Sequence, residues 1–379
     1  MLAHFCHHVV GSLLTPLFPY IRNEFTLNKT QIGFLGSAYN LPYGISQLPS
    51  GWLADRIGPR MLITVGISGV ALAGLLTGIA PSYIVLAVFL VFLGILGGGY
   101  HPAASPLVSA SVEEKNRGLA LGLHQIGGTA SFFLTPLIAA GIAGAIGWRG
   151  TFISLSIPFI IFGFALYIIL GRWGYKGRTK QVSTDSTSET SSSTNRMRHL
   201  ISFTILGVIL QVLIFSTVSF MPVFAVDHLE ASNEAAASLL AVAHFAGLVA
   251  GPLGGYLADR IGKVPVMLIV CLLAGPAIYL LNFVSFPWTI SIVLLVMGTC
   301  QYVGMPISEA YIISHSAERN RSTILGVYYF LSRGGPGLIM PLIGYLIDNY
   351  GYYTSFNAVG AAMAAVTIGC FLFLRASRD

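Results

Sequence analysis

Twelve apolar stretches, each long enough to cross a lipid bilayer, follow one another through this 379-residue chain. A spanning helix needs about 20 apolar residues, with a usual range of about 17 to 25. Such stretches lie near 3–21, 31–52, 61–80, 83–108, 119–143, 151–170, 201–225, 234–256, 265–284, 288–313, 323–346 and 353–374. Inside hydrocarbon every backbone N–H and C=O must find its partner within the protein, so runs of this length specify helices. The predicted fold class is therefore an all-α polytopic membrane protein with twelve transmembrane helices. Only 9% of the residues are charged and 55% are hydrophobic, whereas a soluble domain carries about a quarter charged residues. That excludes a soluble enzyme, a secreted scaffold and a nucleic-acid binder, and makes the lipid bilayer the first partner. The first run begins almost at Met1 without a basic leader or cleavage site, so it is expected to span rather than to be removed.

The basic residues set the orientation. With both termini cytoplasmic, the inner loops hold sixteen of the twenty Lys and Arg, and the outer loops hold Arg22, Lys29 and Arg149. Cytoplasmic loops carry an excess of Lys and Arg, so this arrangement is predicted. Trp52 and Trp173 fall at inner helix ends and Trp148 and Trp288 at outer ones, where interfacial tryptophan is expected. The net charge of +6 then reports topology rather than an acidic partner. Cys6, Cys271, Cys300 and Cys370 sit in apolar stretches with no neighbour at ligand spacing and read as small apolar fillers. The longest polar segment, 171–199, is Ser/Thr-rich and cannot bury enough apolar area to fold. It predicts a flexible cytoplasmic linker between an N-terminal six-helix bundle at 1–170 and a C-terminal one at 200–379.

The two bundles are copies of one unit. GWLADRIG at 51–58 recurs as GYLADRIG at 255–262, an offset of 204 residues. At that same offset EKNRG at 114–118 meets ERNRS at 318–322, Pro102 meets Pro306, Gly122 meets Gly326 and Phe152 meets Phe356. Several anchors at one offset mark an internal repeat.

The repeated loop has its own chemistry. A tight connection requires glycine where backbones crowd or φ turns positive, which assigns Gly51, Gly58, Gly255 and Gly262. Asp55 then stands beside Arg56 and Arg60, and Asp259 beside Arg260, at helix ends. A carboxylate there can cap a neighbouring helix and pair with arginine, forming a latch while the cytoplasmic ends are close. The plainer alternative is a stable tight turn carrying inside-positive charge.

On GWLADRIGPR (51–60), its second copy GYLADRIGK (255–263) and the twofold repeat, the whole chain resembles a transporter of the major facilitator superfamily. The resemblance implies two pseudo-symmetric six-helix bundles rocking about a central cavity, in a prokaryotic cytoplasmic membrane. GGGYHPAASPLVSAS (97–111) and NRGLALGLHQIGGTASFFLTPLIAAGI (116–142) are more specifically similar to the fosmidomycin-resistance branch of drug exporters. Two features depart from proton-coupled relatives. FLGILGGGYH lacks an arginine before the glycines of helix four, and TPLIAAG (135–141) meets the helix-five antiporter signature only in part. Both argue against proton antiport by that common arrangement.

Ionisable groups inside a bilayer are costly and face a cavity or a partner. Helix one carries His4, His7 and His8, helix four His101, helix five His124, helix eight His244, helix ten Glu309 and helix eleven Arg333. Helices three, six, nine and twelve carry none, which predicts that they face lipid while the other eight surround a path. Glu309 and Arg333, the full-time acid and base within the membrane, lie on antiparallel neighbours about 10 Å and 18 Å from their shared loop. Their side chains are expected to meet directly, through water or through substrate, and to couple occupancy to rocking; a permanent structural pair is the alternative. An Arg333 without a partner would attract a carboxylate or phosphonate.

Histidine as a residue type titrates near neutral pH, which makes His101 and His124 candidates for the coupling proton. His4 and His8 share a helical face near the cytoplasmic end, where solvation makes them cheap and no metal is expected. Tyr39, Asn40, Gln125, Gln301, Tyr328 and Tyr329 are uncharged hydrogen-bonding candidates on the cavity helices. GGGY at 97–100 lies within a span and lacks the lysine and hydroxyl of a phosphate loop, so no nucleotide cofactor is expected. The predicted function is secondary active transport of a small amphiphilic or anionic organic solute by a monomer, with protons as coupling ion and efflux as direction. Uptake of an organic anion by proton symport is the alternative. A membrane enzyme would need a nucleophile or metal set at catalytic spacing, which is absent from the sequence pattern.

Overall fold

The fold was described from a computed structural model that covers residues 1–113, 116–172, 194–316 and 318–374. All regular structure among these residues is helical. Span 1 is Leu2–Ser12 continued by Phe18–Phe25, span 2 is Lys29–Ile57, span 3 Pro59–Gly78 and span 4 Tyr83–Ala110. Spans 5 and 6 form one helical run, Arg117–Arg172, broken where Gly147 takes φ of 71°. Span 7 is Thr194–Ser219, followed by the short helix Met221–His228 whose end carries Asp227 beyond the span; span 8 is Asn233–Ile261, span 9 Lys263–Leu280 and span 10 Trp288–His315. Span 11 is Glu318–Gly334 continued by 336–350, and span 12 is 351–374, separated from it by Gly351 at φ of 77°.

Local chemistry sets these limits. Asn28 caps span 2 in a reciprocal capping box with Gln31, and the Ser82 and Ser232 hydroxyls cap spans 4 and 8. Span 2 stops at Gly58, whose φ of 84° is closed to residues with a Cβ, and span 3 starts at once with Pro59. Its repeat partner Gly262 has φ of 94° and separates spans 8 and 9 in the same way. The glycine assignment at these two turns follows the sequence; Gly255 has nothing within 4 Å of an added Cβ and is not a close-packing point. The helices of spans 6 and 7 reach into the expected linker, through Arg172 and from Thr194; its centre, 173–193, lies outside the described residues.

Large apolar side chains such as Ile161, Phe164, Leu272 and Leu372 point outward from spans 6, 9 and 12, the surface a bilayer covers. Spans 2 and 11, and spans 5 and 8, make the main contacts between the halves. At the crossing of spans 2 and 11 a Cβ added to Gly44 would lie 2.6 Å from the Gly334 Cα, so the two backbones touch. Trp288 is 79% exposed and Trp52 56%, as interfacial residues are. Trp148 corrects the expectation for it: it is 3% exposed, and its Nε1–H donates to Glu24 Oε2 at 2.6 Å. Trp173 lies outside the described residues. All four cysteines are free and buried.

Candidate functional site

A cavity of about 980 Å³, counting its mouth, lies between the halves. Its wall draws on spans 1, 2, 5, 7, 8, 10 and 11 and on none of spans 3, 6, 9 and 12; span 4, expected among the eight pathway helices, contributes no residue to it either. Tyr39, Asn40, Gln301 and Arg333 line it, as the sequence predicts. Arg333 stands at the break of span 11 before Pro336, and it is the one formally charged side chain on this wall among the described residues. Asn40 Nδ2 donates to the Gly36 carbonyl at 2.9 Å, and Gln211 Nε2 donates to the Gln301 carbonyl at 2.8 Å, tying spans 7 and 10. His244 Nδ1 lies 2.9 Å from the Tyr302 hydroxyl, and its ring faces Phe132 of the other half across 5.5 Å.

Glu309 is not on the central wall. It shares a smaller cavity of about 210 Å³ with Tyr328, Tyr329, Met305 and Arg333, so Arg333 borders both spaces. No ion pair within 4.0 Å joins Glu309 to Arg333 among the described residues. The guanidinium donates from Nη2 to the Met305 sulfur at 3.5 Å, a weak acceptor. Tyr328 and Tyr329 thus belong with Glu309 rather than with the central cavity. Gln125 is exposed and lines neither space; one residue after the buried His124, it projects about 100° further round the helix.

The first half holds a cluster of histidines. His4 and His7 are each 2% exposed and His8 8%, which corrects the expectation of solvated side chains at a helix end. His4 Nδ1 lies 2.8 Å from the His124 carbonyl and His7 Nδ1 2.7 Å from the Gly66 carbonyl. A carbonyl can only accept, so both Nδ1 atoms carry the proton and both Nε2 atoms present a lone pair. Gly66 lies in a π-helical turn of span 3, Val65–Gly69, where the usual helical ladder is displaced and a carbonyl is available. His8 Nε2 is 3.1 Å from His4 Nε2, and the His101 ring stands 5.0 Å from that of His4 and 5.2 Å from that of His8. His124 stacks on His4 at 4.3 Å. His4, His8 and His101 each bring one ring nitrogen to within 4.8 Å of the other two.

Sequence reasoning missed a seal at the end that carries Arg22. Arg22 pairs with Asp227, Lys29 Nζ lies 3.1 Å from the same carboxylate, and the Tyr20 hydroxyl donates to Glu234 at 2.7 Å. The Lys29 and Thr30 backbone N–H groups donate to Asp348 at 3.0 and 2.8 Å, so a carboxylate of span 11 caps the N-terminus of span 2. Burial pushes the Asp227 carboxyl up, and Arg22 and Lys29 outweigh it and hold it below the usual carboxylate range. Arg149 pairs with Glu24 at 2.7 Å within the first half. Each basic residue on this side therefore has a carboxylate partner. The readable signal was three basic residues and the acids Glu24, Asp227, Glu234 and Asp348 all falling at one end of the spans.

The predicted latch at the opposite end is not engaged where it is described. Asp259 is exposed and hydrogen-bonds to nothing among the described residues; Arg260 covers the Tyr256 ring and Arg56 the Trp52 ring. Arg60 packs on Tyr167 at 3.6 Å and donates to its carbonyl at 2.7 Å, within its own half. Gly51 and the Asp55 side chain lie outside what the structure describes.

The profile of the Major Facilitator Superfamily matches residues 1–247 and 203–379. The chain belongs to this superfamily. It is a membrane transporter and not an enzyme. Over 375 residues it is 27% identical to the multidrug resistance protein MdtG of Salmonella paratyphi C, covering 96% of this chain and 89% of that protein. It is 35% identical over 138 residues to the probable sulfoacetate transporter SauU of Cupriavidus necator, or 36% of this chain and 32% of the relative. The probable L-galactonate transporter of Escherichia coli is 30% identical over 149 residues, 39% of this chain and 33% of that one. Among solved folds, a POT family transporter in complex with 5-aminolevulinic acid superposes with a TM-score of 0.84 at 14% identity, covering 98% of this chain and 94% of that one. A bacterial homologue of the lysosomal transporter Spinster gives 0.78 at 18% identity, covering 99% and 95%. These structural likenesses show the superfamily's twelve-helix fold.

Proposed function

We propose that this transporter carries a small organic anion whose acid group docks on Arg333, together with a proton taken up by Glu309. The observation that carries the reading is that Arg333 is, among the described residues, the one formal charge on the central wall and also borders the cavity of Glu309. A guanidinium binds carboxylate, phosphonate or sulfonate through two parallel N–H donors. Its present partner, the Met305 sulfur, is readily exchanged for an anionic oxygen. An arginine whose charge is taken up by solute offers less counter-charge to Glu309 across their shared cavity, and a buried carboxylate short of counter-charge accepts a proton. Solute anion and proton therefore favour each other's binding and move in the same direction, which is symport.

The basic-loop count supports placing the Gly58 end in the cytoplasm, and on that orientation the sealed Arg22 end faces outward. The ion pairs of that seal then hold the external side shut, and the Asp55 and Asp259 latch is the matching device of the opposite state. The domain division at 1–170 and 200–379 makes the two halves the moving bodies, each chain working as a monomer in a prokaryotic cytoplasmic membrane.

A second reading is proton-driven efflux of amphiphilic compounds. It is supported by the near full-length similarity to multidrug resistance proteins and by the apolar wall around Phe132, Phe215 and Leu240. One measurement separates the two. In proteoliposomes with a trapped pH dye and no imposed gradient, an anionic solute added outside is expected to acidify the lumen. Alkalinisation on solute entry would mean exchange against protons and would favour efflux. Flux of solute with no pH change in either direction would remove the proton from both.

A further inference from the structure

His4, His8 and His101 each bring one imidazole nitrogen to within 4.8 Å of the other two. We propose that this trio is a binding site for one divalent late transition-metal cation of the Zn²⁺ class, reached from the central cavity. The inference does not depend on which solute is carried.

Four observations support it. The first is ligand preparation: His4 Nδ1–H is already donated to the His124 carbonyl, so Nε2 is left as the lone-pair nitrogen. Metal-bound histidines hold their second ring nitrogen in this way, which fixes tautomer and ring orientation. The second is spacing. Metal–nitrogen bonds of about 2.0–2.1 Å in tetrahedral geometry place ligand nitrogens about 3.3 Å apart. The His4 and His8 Nε2 atoms stand at 3.1 Å, and His101 has to close by roughly 1.5 Å, the scale of a side-chain adjustment. In the empty site one of these two nitrogens carries a proton donated to the other, and a cation taking both lone pairs displaces that proton.

The third observation is a buried orphan. His7 donates through Nδ1 to Gly66, and its Nε2 is buried with no hydrogen-bond partner. Its ring packs against His8 at 4.5 Å and His101 at 5.5 Å. Three protein ligands leave a fourth position for water, and the orphan nitrogen is an acceptor for that water's proton. The fourth is access: His8 lines the central cavity and His101 is partly exposed, so an ion can enter. Three neutral imidazoles select Zn²⁺, Cu²⁺ or Ni²⁺ over oxygen-seeking Mg²⁺ and Ca²⁺. The sequence alone hides the site because its third ligand comes from span 4, while His4 and His8 by themselves are one helical turn apart.

The test uses the full chain, purified on a tag without histidine. It is titrated with Zn²⁺ by calorimetry and, separately, with Co²⁺ followed by its visible d–d absorption. The expected result is one ion per chain and the intense absorption of four-coordinate Co²⁺. His8→Gln and His101→Gln should each weaken binding at least about tenfold and remove that absorption. The exposed His228→Gln should change neither. Zn²⁺ should also raise the thermal unfolding midpoint of the wild type, a readout that needs no variant to fold. A wild type that binds no ion, or an ion retained unchanged in both His8→Gln and His101→Gln, overturns the proposal.

Discussion

The same place in the repeated unit carries two different chemistries. At the offset of 204 residues His7 corresponds to Gln211, His101 to Met305 and His124 to Tyr328. The three second-half residues line the small cavity that holds Glu309 and Arg333, while their first-half counterparts belong to the histidine cluster. In the other direction Glu309 corresponds to Ser105 and Arg333 to Thr129, neither of which is ionisable. The first half therefore fills its polar interior with imidazoles, two of them anchored on backbone carbonyls, and the second concentrates full charge beside the central cavity. The difference teaches that the fold requires a polar filling at this position but does not dictate its charge.

The largest expected effect falls on the charged copy. Arg333→Ala should lower anion affinity about 100-fold, ~2.8 kcal/mol, in equilibrium binding, with Arg333→Lys recovering part of it. Thr129→Ala, at the matching place in the first half, should change it by about twofold or less. Equal losses in the two variants would break the comparison. Glu309→Gln comes next: solute counterflow should persist while solute-driven lumen acidification disappears. If Glu309→Gln still moves protons, the coupling group lies elsewhere, and the histidine cluster becomes the first alternative.

Smaller effects sharpen the neutral copy. His7→Leu removes the donor to the Gly66 carbonyl and should cost about 1–3 kcal/mol in unfolding measurements. His7→Gln, which installs the residue its counterpart Gln211 already carries, keeps an N–H donor and should recover most of that loss. Failure of glutamine to outperform leucine would mean that the two positions are equivalent in sequence alone. The smallest effect concerns the seal, which has no copy at the Gly58 end. Asp227 has its carboxyl depressed below the ordinary 3.8 in the folded protein, so its contribution is complete above that value and is lost as the pH falls below it. Unfolding midpoints should be insensitive to this group from pH 7 to about 5. Asp227→Asn should remove about 1 kcal/mol throughout that range, the scale of a partly solvated pair.

Much of the fold is legible in the sequence because the bilayer leaves few alternatives. Run length gives the spans, the 204-residue repeat pairs the halves, and the uncharged apolar stretches 61–80, 151–170, 265–284 and 353–374 stay off the cavity wall, as does span 4 in spite of its His101. Tyr39, Asn40, Gln301 and Arg333 could be found because polar groups on cavity helices have few other places to point. The seal was hidden because Arg22 and Lys29, taken singly, look like exceptions to a topology rule; their partner Asp227 lies about two hundred residues away. Periodicity would have separated Gln125 from His124, since adjacent helical residues cannot share a face. Burial of His4 and His8 was unreadable because it depends on spans 3, 4 and 5 closing around the start of span 1. The proton carrier among Glu309, His101 and His124 is likewise a matter of which cavity each side chain enters, and span order does not encode that.

The backbone contact between Gly44 and Gly334 has a mechanical consequence. Gly44 sits near the midpoint of span 2, fifteen residues from Lys29 and thirteen from Ile57. At 1.5 Å per residue these are arms of about 22 and 20 Å. On the proposed rocking of the halves this contact is a near-central fulcrum, and Pro42 and Pro49 beside it are the points where span 2 can flex. Simultaneous opening to both sides would require span 2 to bend.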